Sequence, residues 1–92
     1  MIQLIKFGAG WCGPCKVLAP TIDKLKEKYN TEGSDVEVLA IDIDSDPEAA
    51  TKYGIRNIPI TFFIKDGEVI EKKPGVLTMD VIETTITNLK GS

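Results

Sequence analysis

Residues 2–7 (Ile-Gln-Leu-Ile-Lys-Phe) form a short, mostly apolar run broken by Gly8 and Gly10, the pattern of a strand. From Gly13 to about Tyr29 the period changes. Cys15, Leu18, Ile22, Leu25 and Tyr29 recur every three or four positions, which predicts an amphipathic helix. Pro20 lies inside that run and predicts a kink. Asn-Thr-Glu-Gly-Ser-Asp at 30–35 reads as a loop, and Val36–Ile43, rich in Val, Ile and Leu, as a second strand. Ser45-Asp46-Pro47 then opens a short helix with a capping side chain and a proline near its first position, and Gly54 closes it. Ile60–Lys65 and Glu68–Lys73 are strands joined at Asp66-Gly67, a tight hairpin signal. The last helix, from about Thr78 to Leu89, presents Ile82, Ile86 and Leu89 on one face, and Gly91-Ser92 reads as a frayed end.

The order β-α-β-α-β-β-α defines an α/β chain. Strands joined through a helix pair in parallel by a right-handed crossover, whereas a tight hairpin adds antiparallel strands. The expectation is a four-stranded mixed sheet with helices on both faces, closed as a single domain over 92 residues. Composition narrows the function classes. A net charge of −3 with mixed signs leaves no basic stripe for nucleic acid. No apolar run is long enough to span a bilayer. Met-Ile-Gln-Leu-Ile-Lys-Phe lacks the features of a secretory signal, which predicts a cytoplasmic protein.

The cysteines change the picture most. There are two, Cys12 and Cys15, and no histidine. A disulfide closing so short a loop constrains the unfolded chain little and makes a poor structural staple. Two thiolates without histidine fill half of a tetrahedral zinc site, so a metal would need a second pair from another chain. Two buried cysteines filling a helix end are the blander alternative. Against it stands the position of Trp11-Cys12-Gly13-Pro14-Cys15-Lys16, where a strand ends and a helix begins. Free amides and the helix dipole stabilise a thiolate there, lowering its pKa below the free value of about 8.5. The thiolate is the species that attacks a disulfide. Cys12, at the exposed end ahead of the first turn, is expected to be the nucleophile. Cys15, one turn deeper, is expected to resolve the mixed disulfide.

Beyond the motif, Leu18-Ala19-Pro20, Ile41-Asp-Ile-Asp44, Tyr53-Gly54-Ile55-Arg56-Asn57-Ile58-Pro59, Asp66-Gly67-Glu68 and Gly75 follow in order. Taken together, the chain resembles the thioredoxin family over nearly its whole length. The resemblance implies a minimal thioredoxin-like fold and a thiol–disulfide oxidoreductase that reduces protein disulfides without a metal or organic cofactor. It implies that Pro59 is a cis-proline facing the two cysteines and that Trp11 is the flanking aromatic. Trp11, Gly13, Pro14, Ile58, Pro59, Gly75 and Val76 would form the apolar surface that receives substrate, with the Ile58 backbone pairing to an extended chain. A flavin-dependent thioredoxin reductase would supply electrons, and the protein would act as a monomer. The rivals are a glutaredoxin-like enzyme fed by glutathione and a non-catalytic thioredoxin-type subunit.

Four departures from the family bear on this reading. The chain begins at what resembles the family's second strand, so Val36–Ile43 is expected at a sheet edge, where Glu37 and Asp42 would discourage further pairing. Lys6 stands where the family has a buried Asp beneath the resolving cysteine, and Ala40 where it has that residue's Lys partner. Lys6 is thus a candidate redox-tuning residue. The blander expectation is that it snorkels to solvent or pairs with Asp42. Gly8 replaces an aromatic residue, and Ile60 a Thr.

Overall fold

The first strand, β1 (Ile2–Gly8), carries Ile2 and Leu4 on one face and Ile5 and Phe7 on the other. A strand apolar on both faces needs cover from both sides. The computed structural model, which describes residues 1–91, places β1 inside the sheet. The strand order is β2-β1-β3-β4. Strand β2 (Val36–Asp42) runs parallel to β1, β3 (Ile60–Lys65) antiparallel to it, and β4 (Glu68–Pro74) antiparallel to β3. Asp66 and Gly67 join the last two with φ of 51° and 84°, the left-handed pair that a two-residue hairpin turn demands.

The helices divide between the two faces. Leu18, Ile22 and Leu25 of α1 (Gly13–Tyr29) and Ile82 and Ile86 of α3 (Met79–Lys90) close over Leu4 on one side. On the other, Tyr53 of α2 (Pro47–Tyr53) meets Phe7 and Phe62 at ring-centroid distances of 5.2 and 5.7 Å. No residue of α2 is fully buried, so these rings are its main anchorage. Helix α1 runs through Pro20, whose missing N–H falls on an exposed face where water can solvate the carbonyl one turn back. Gly54 ends α2 in the left-handed conformation at φ 65°.

Boundaries shift from the sequence expectation by a residue or so, for visible reasons. Gly8 stays in β1, because its carbonyl accepts the Ile43 N–H at 2.9 Å. Ile43 leaves β2, because the chain turns at Asp42, whose carbonyl accepts the Ser45 and Asp46 N–H groups. Thr78 is the N-cap of α3, its hydroxyl accepting the Val81 N–H at 3.2 Å, and the helix begins at Met79. Gly91 caps the far end of α3, and Ser92 lies outside the described residues.

Strand β2 is an edge, as expected, but its protection differs from the expectation. Glu37 turns inward along the sheet, accepting a hydrogen bond from Gln3 Nε2 at 2.9 Å. Asp42 accepts the Asp44 N–H. The blocking group is Asn30, just past α1. Its side-chain oxygen accepts the Val38 N–H at 2.7 Å, and its Nδ2 donates to the Val38 carbonyl at 2.8 Å. One amide thus occupies both outward-facing groups of Val38, where another strand would otherwise pair. Asn30→Ala is expected to cost about 1–2 kcal/mol, since both half-buried groups lose their partner. Chemical denaturation should read that loss, and light scattering should show an increased tendency to associate.

Candidate active site

The chain leaves β1 at Gly8 and turns so that the Cys12 N–H donates to the Ala9 carbonyl at 3.2 Å. Cys12 is the N-cap of α1, with extended backbone at φ −88° and ψ 113°. Its sulfur takes the role usually played by a serine or aspartate oxygen, accepting the Cys15 N–H at 3.3 Å. Gly13 and Pro14 fill the first two helical positions, where the missing proline N–H leaves no bond unmade. Cys12 and Cys15 are joined as a disulfide with their Cα atoms 5.2 Å apart.

Cys15 is as deep as the helical pattern predicts, whereas Cys12 is more covered than the sequence suggests. Cys15 is 2% exposed, and Cys12, expected at the open end, only 6%. Ala9 packs with them, and Ile43 and Ile58 close over the group from the turn after β2 and the approach to β3. Cys12 remains the outer of the two.

Ile58 and Pro59 arrive from the far side of the sheet with a cis peptide bond between them. The Ile58 carbonyl oxygen lies 4.0 Å from Cys12 Sγ. Gly75, with φ at 87°, donates its N–H to the Pro59 carbonyl at 2.9 Å, which ties the segment after β4 to the proline and sets Val76 beside it, half exposed. The positive φ accounts for glycine at that position. Gly13 and Pro14 are exposed on the first turn of α1. Trp11 is 68% exposed, which removes simple packing as its role. Its indole Nε1 donates to Asp44 Oδ2 at 2.8 Å, a bond that orients the exposed ring. Nothing in the sequence pattern gives Asp44 a role. Only the turn after β2 brings it to Trp11, 33 residues away.

Lys6 lies beneath the pair, half buried, and lines a common cavity with Gly8, Cys15 and Asp42. It does not form the expected ion pair with Asp42: among the described residues no salt bridge involves Lys6. Burial pushes the Lys6 pKa below the ordinary lysine value. Asp23 opposes that shift through space, Lys26 adds to it and Asp42 opposes it.

Comparison with known proteins agrees with this arrangement. The thioredoxin family model matches residues 1–88. Thioredoxin of Bacillus subtilis (strain 168) is 35% identical over 85 residues, covering 92% of this chain and 79% of that protein. Thioredoxin of Porphyra purpurea is 36% identical over 83 residues, covering 90% and 75%. The solved structure of Fasciola hepatica thioredoxin superposes with a TM-score of 0.80 at 33% identity, over 95% of this chain and 79% of that one.

Asp44→Ala is expected to release the Trp11 ring. Steady-state fluorescence anisotropy of the single tryptophan should fall, while global stability drops by less than about 1 kcal/mol because the bond is solvent-exposed.

Proposed function

The chain belongs to the thioredoxin family and is a thiol–disulfide oxidoreductase, and from that premise we propose that it reduces protein disulfides with Cys12 as nucleophile and Cys15 as resolving thiol. The observation that carries the assignment of roles is the sulfur N-cap. Cys12 Sγ sits where the Cys15 amide and the positive end of the α1 dipole both stabilise negative charge. In the reduced protein that position favours a Cys12 thiolate, which attacks one sulfur of the substrate and expels the other as a thiol. Cys15, three residues on and already within bonding reach, then attacks Cys12 Sγ and releases the second substrate thiol.

Substrate docks as an extended segment against the Ile58 backbone, a strand-like pairing beside the reacting sulfurs. Pro59 offers no N–H there and faces the pair, and Trp11, Gly13, Pro14, Gly75 and Val76 supply the apolar rim. The exposure of Trp11 and Val76, at 68% and 48%, supports that role, since large apolar side chains left uncovered mark contact surfaces. The proposed electron donor is a flavin-dependent thioredoxin reductase, and the proposed compartment is the cytoplasm. No helix among the described residues is long and apolar enough to cross a membrane.

In an assay coupling a thioredoxin reductase to a disulfide-bonded protein substrate, Cys12→Ser is expected to abolish turnover. Cys15→Ser should instead accumulate a covalent mixed disulfide through Cys12, visible by mass spectrometry. A covalent adduct through Cys15 in the Cys12→Ser variant would reverse the two roles. Full activity of the double serine variant in its biological setting would replace catalysis with a purely structural role.

A further inference from the structure

Gly8 and Lys6 are alternate residues of β1, so they face the same side of the sheet, towards α1. Gly8 contributes no side chain to that face. A Cβ there would lie 3.0 Å from Cys15 Sγ and 3.1 Å from both Cε and Nζ of Lys6. The Lys6 side chain therefore folds along the strand into space that any other residue at position 8 would fill. Since both atoms lie about 3 Å from one point, the Lys6 amine is within about 6 Å of the Cys15 sulfur. That separation is spanned by a single water making two hydrogen bonds. The cavity shared by Lys6, Gly8 and Cys15, about 270 Å³, has room for one.

We propose that the Lys6 amine accepts the proton of Cys15, through one bridging water, as Cys15 attacks the mixed disulfide. This rests on the reading of Cys12 and Cys15 as the exchanging pair. In the resolving step the Cys15 S–H bond breaks and its proton passes to Lys6 Nζ. The Cys15 sulfur bonds to Cys12 Sγ as the Cys12–substrate S–S bond breaks, and the departing substrate thiolate takes a proton from the Lys6 ammonium. The dithiol is oxidised by two electrons, the substrate disulfide is reduced by two, and Lys6 returns to its starting state.

The other groups facing Lys6 are less suited. Asp23 and Lys26 approach from α1 and Asp42 from β2, all acting through space. Both carboxylates are exposed, and Asp42 already accepts the Asp44 N–H. Lys16 lines the same cavity from α1 on an exposed position. From β3, Thr61 is the cross-strand partner of Lys6. Its buried hydroxyl makes no hydrogen bond among the described residues, but an alcohol is too weak a base at neutral pH. Lys73 of β4, beyond Thr61, is engaged with Glu71 at 3.5 Å. Burial also lowers the Lys6 pKa, as a lysine acting as a base requires.

The test is a single-turnover reaction of the reduced protein with oxidised glutathione, quenched in acid. Mass spectrometry counts the dithiol, the mixed disulfide and the closed disulfide. Lys6→Met is expected to leave the appearance of the mixed disulfide within about twofold, and to slow its decay on the order of 10²-fold at pH 7. The difference should close as the pH rises past the thiol pKa, where hydroxide supplies the Cys15 thiolate. Lys6→Arg keeps the charge but cannot accept a proton, so it should be slow in the same way. Gly8→Ala places a methyl group in the path of the amine and should reproduce the pH-dependent defect with Lys6 intact, which keeps the test open if Lys6→Met does not fold. Decay at the parent rate in Lys6→Met or Lys6→Arg, or a slowing of equal size at every pH, would overturn the proposal. Failure of the reduced parent protein to reach the closed Cys12–Cys15 disulfide, with release of two glutathione thiols per disulfide formed, would instead overturn the dithiol reading beneath it.

Discussion

A helix N-terminus presents amides that have no partner inside the helix, and α1 directs one of them at a sulfur. The 3.3 Å bond from the Cys15 N–H to Cys12 Sγ is at once the cap that starts the helix and an interaction that favours negative charge on that sulfur. The surrounding structure serves to hold this junction in place. Strand β1 must deliver the chain to it from the middle of the sheet, and Leu18, Ile22 and Leu25 must clamp the helix onto β1 so that its first turn cannot drift.

The second half of the site comes from the opposite direction along the chain. Because β3 runs antiparallel beside β1, the segment leading into it arrives next to the end of β1, where Cys12 lies. Ile58 and Pro59 are therefore brought to the sulfurs by sheet topology, and Gly75 is brought to Pro59 by the hairpin that returns the chain along β3. Three stretches distant in sequence meet at one end of the sheet. Trp11 and Val76 remain exposed there without loss to the core, because the strands behind them carry the burial that stabilises the fold.

Beneath the junction the packing is less tight. Gly8 leaves a gap that the Lys6 chain enters, so a charged residue on a core-facing position is accommodated by its neighbour's missing side chain. The same economy appears at the open edge of the sheet, where the single amide of Asn30 engages both backbone groups of Val38. In each case one small polar arrangement resolves a conflict that the strand pattern creates.

The sequence by itself determined the element order, the parallel and antiparallel pairings and the location of the dithiol. Each depends on local periodicity, turn chemistry or adjacent residues: the three-and-four spacing of α1, the Asp66-Gly67 turn, the Cys12–Cys15 step. The approach of Ile58-Pro59 to Cys12, with Gly75 bonded to Pro59 behind it, is legible only through likeness to a family, because nothing local in Ile58-Pro59 or Gly75 points to Cys12. Tertiary structure alone decided the rest. It attached Trp11 to Asp44, covered Cys12 more than its place in the chain implies, replaced Glu37 with Asn30 as guard of the edge, and turned Lys6 towards Cys15 rather than into an ion pair with Asp42. The physical reason is common to all four. They are side-chain contacts across elements, set by which atoms share a small volume once the sheet has closed, and no pattern along the chain encodes that volume.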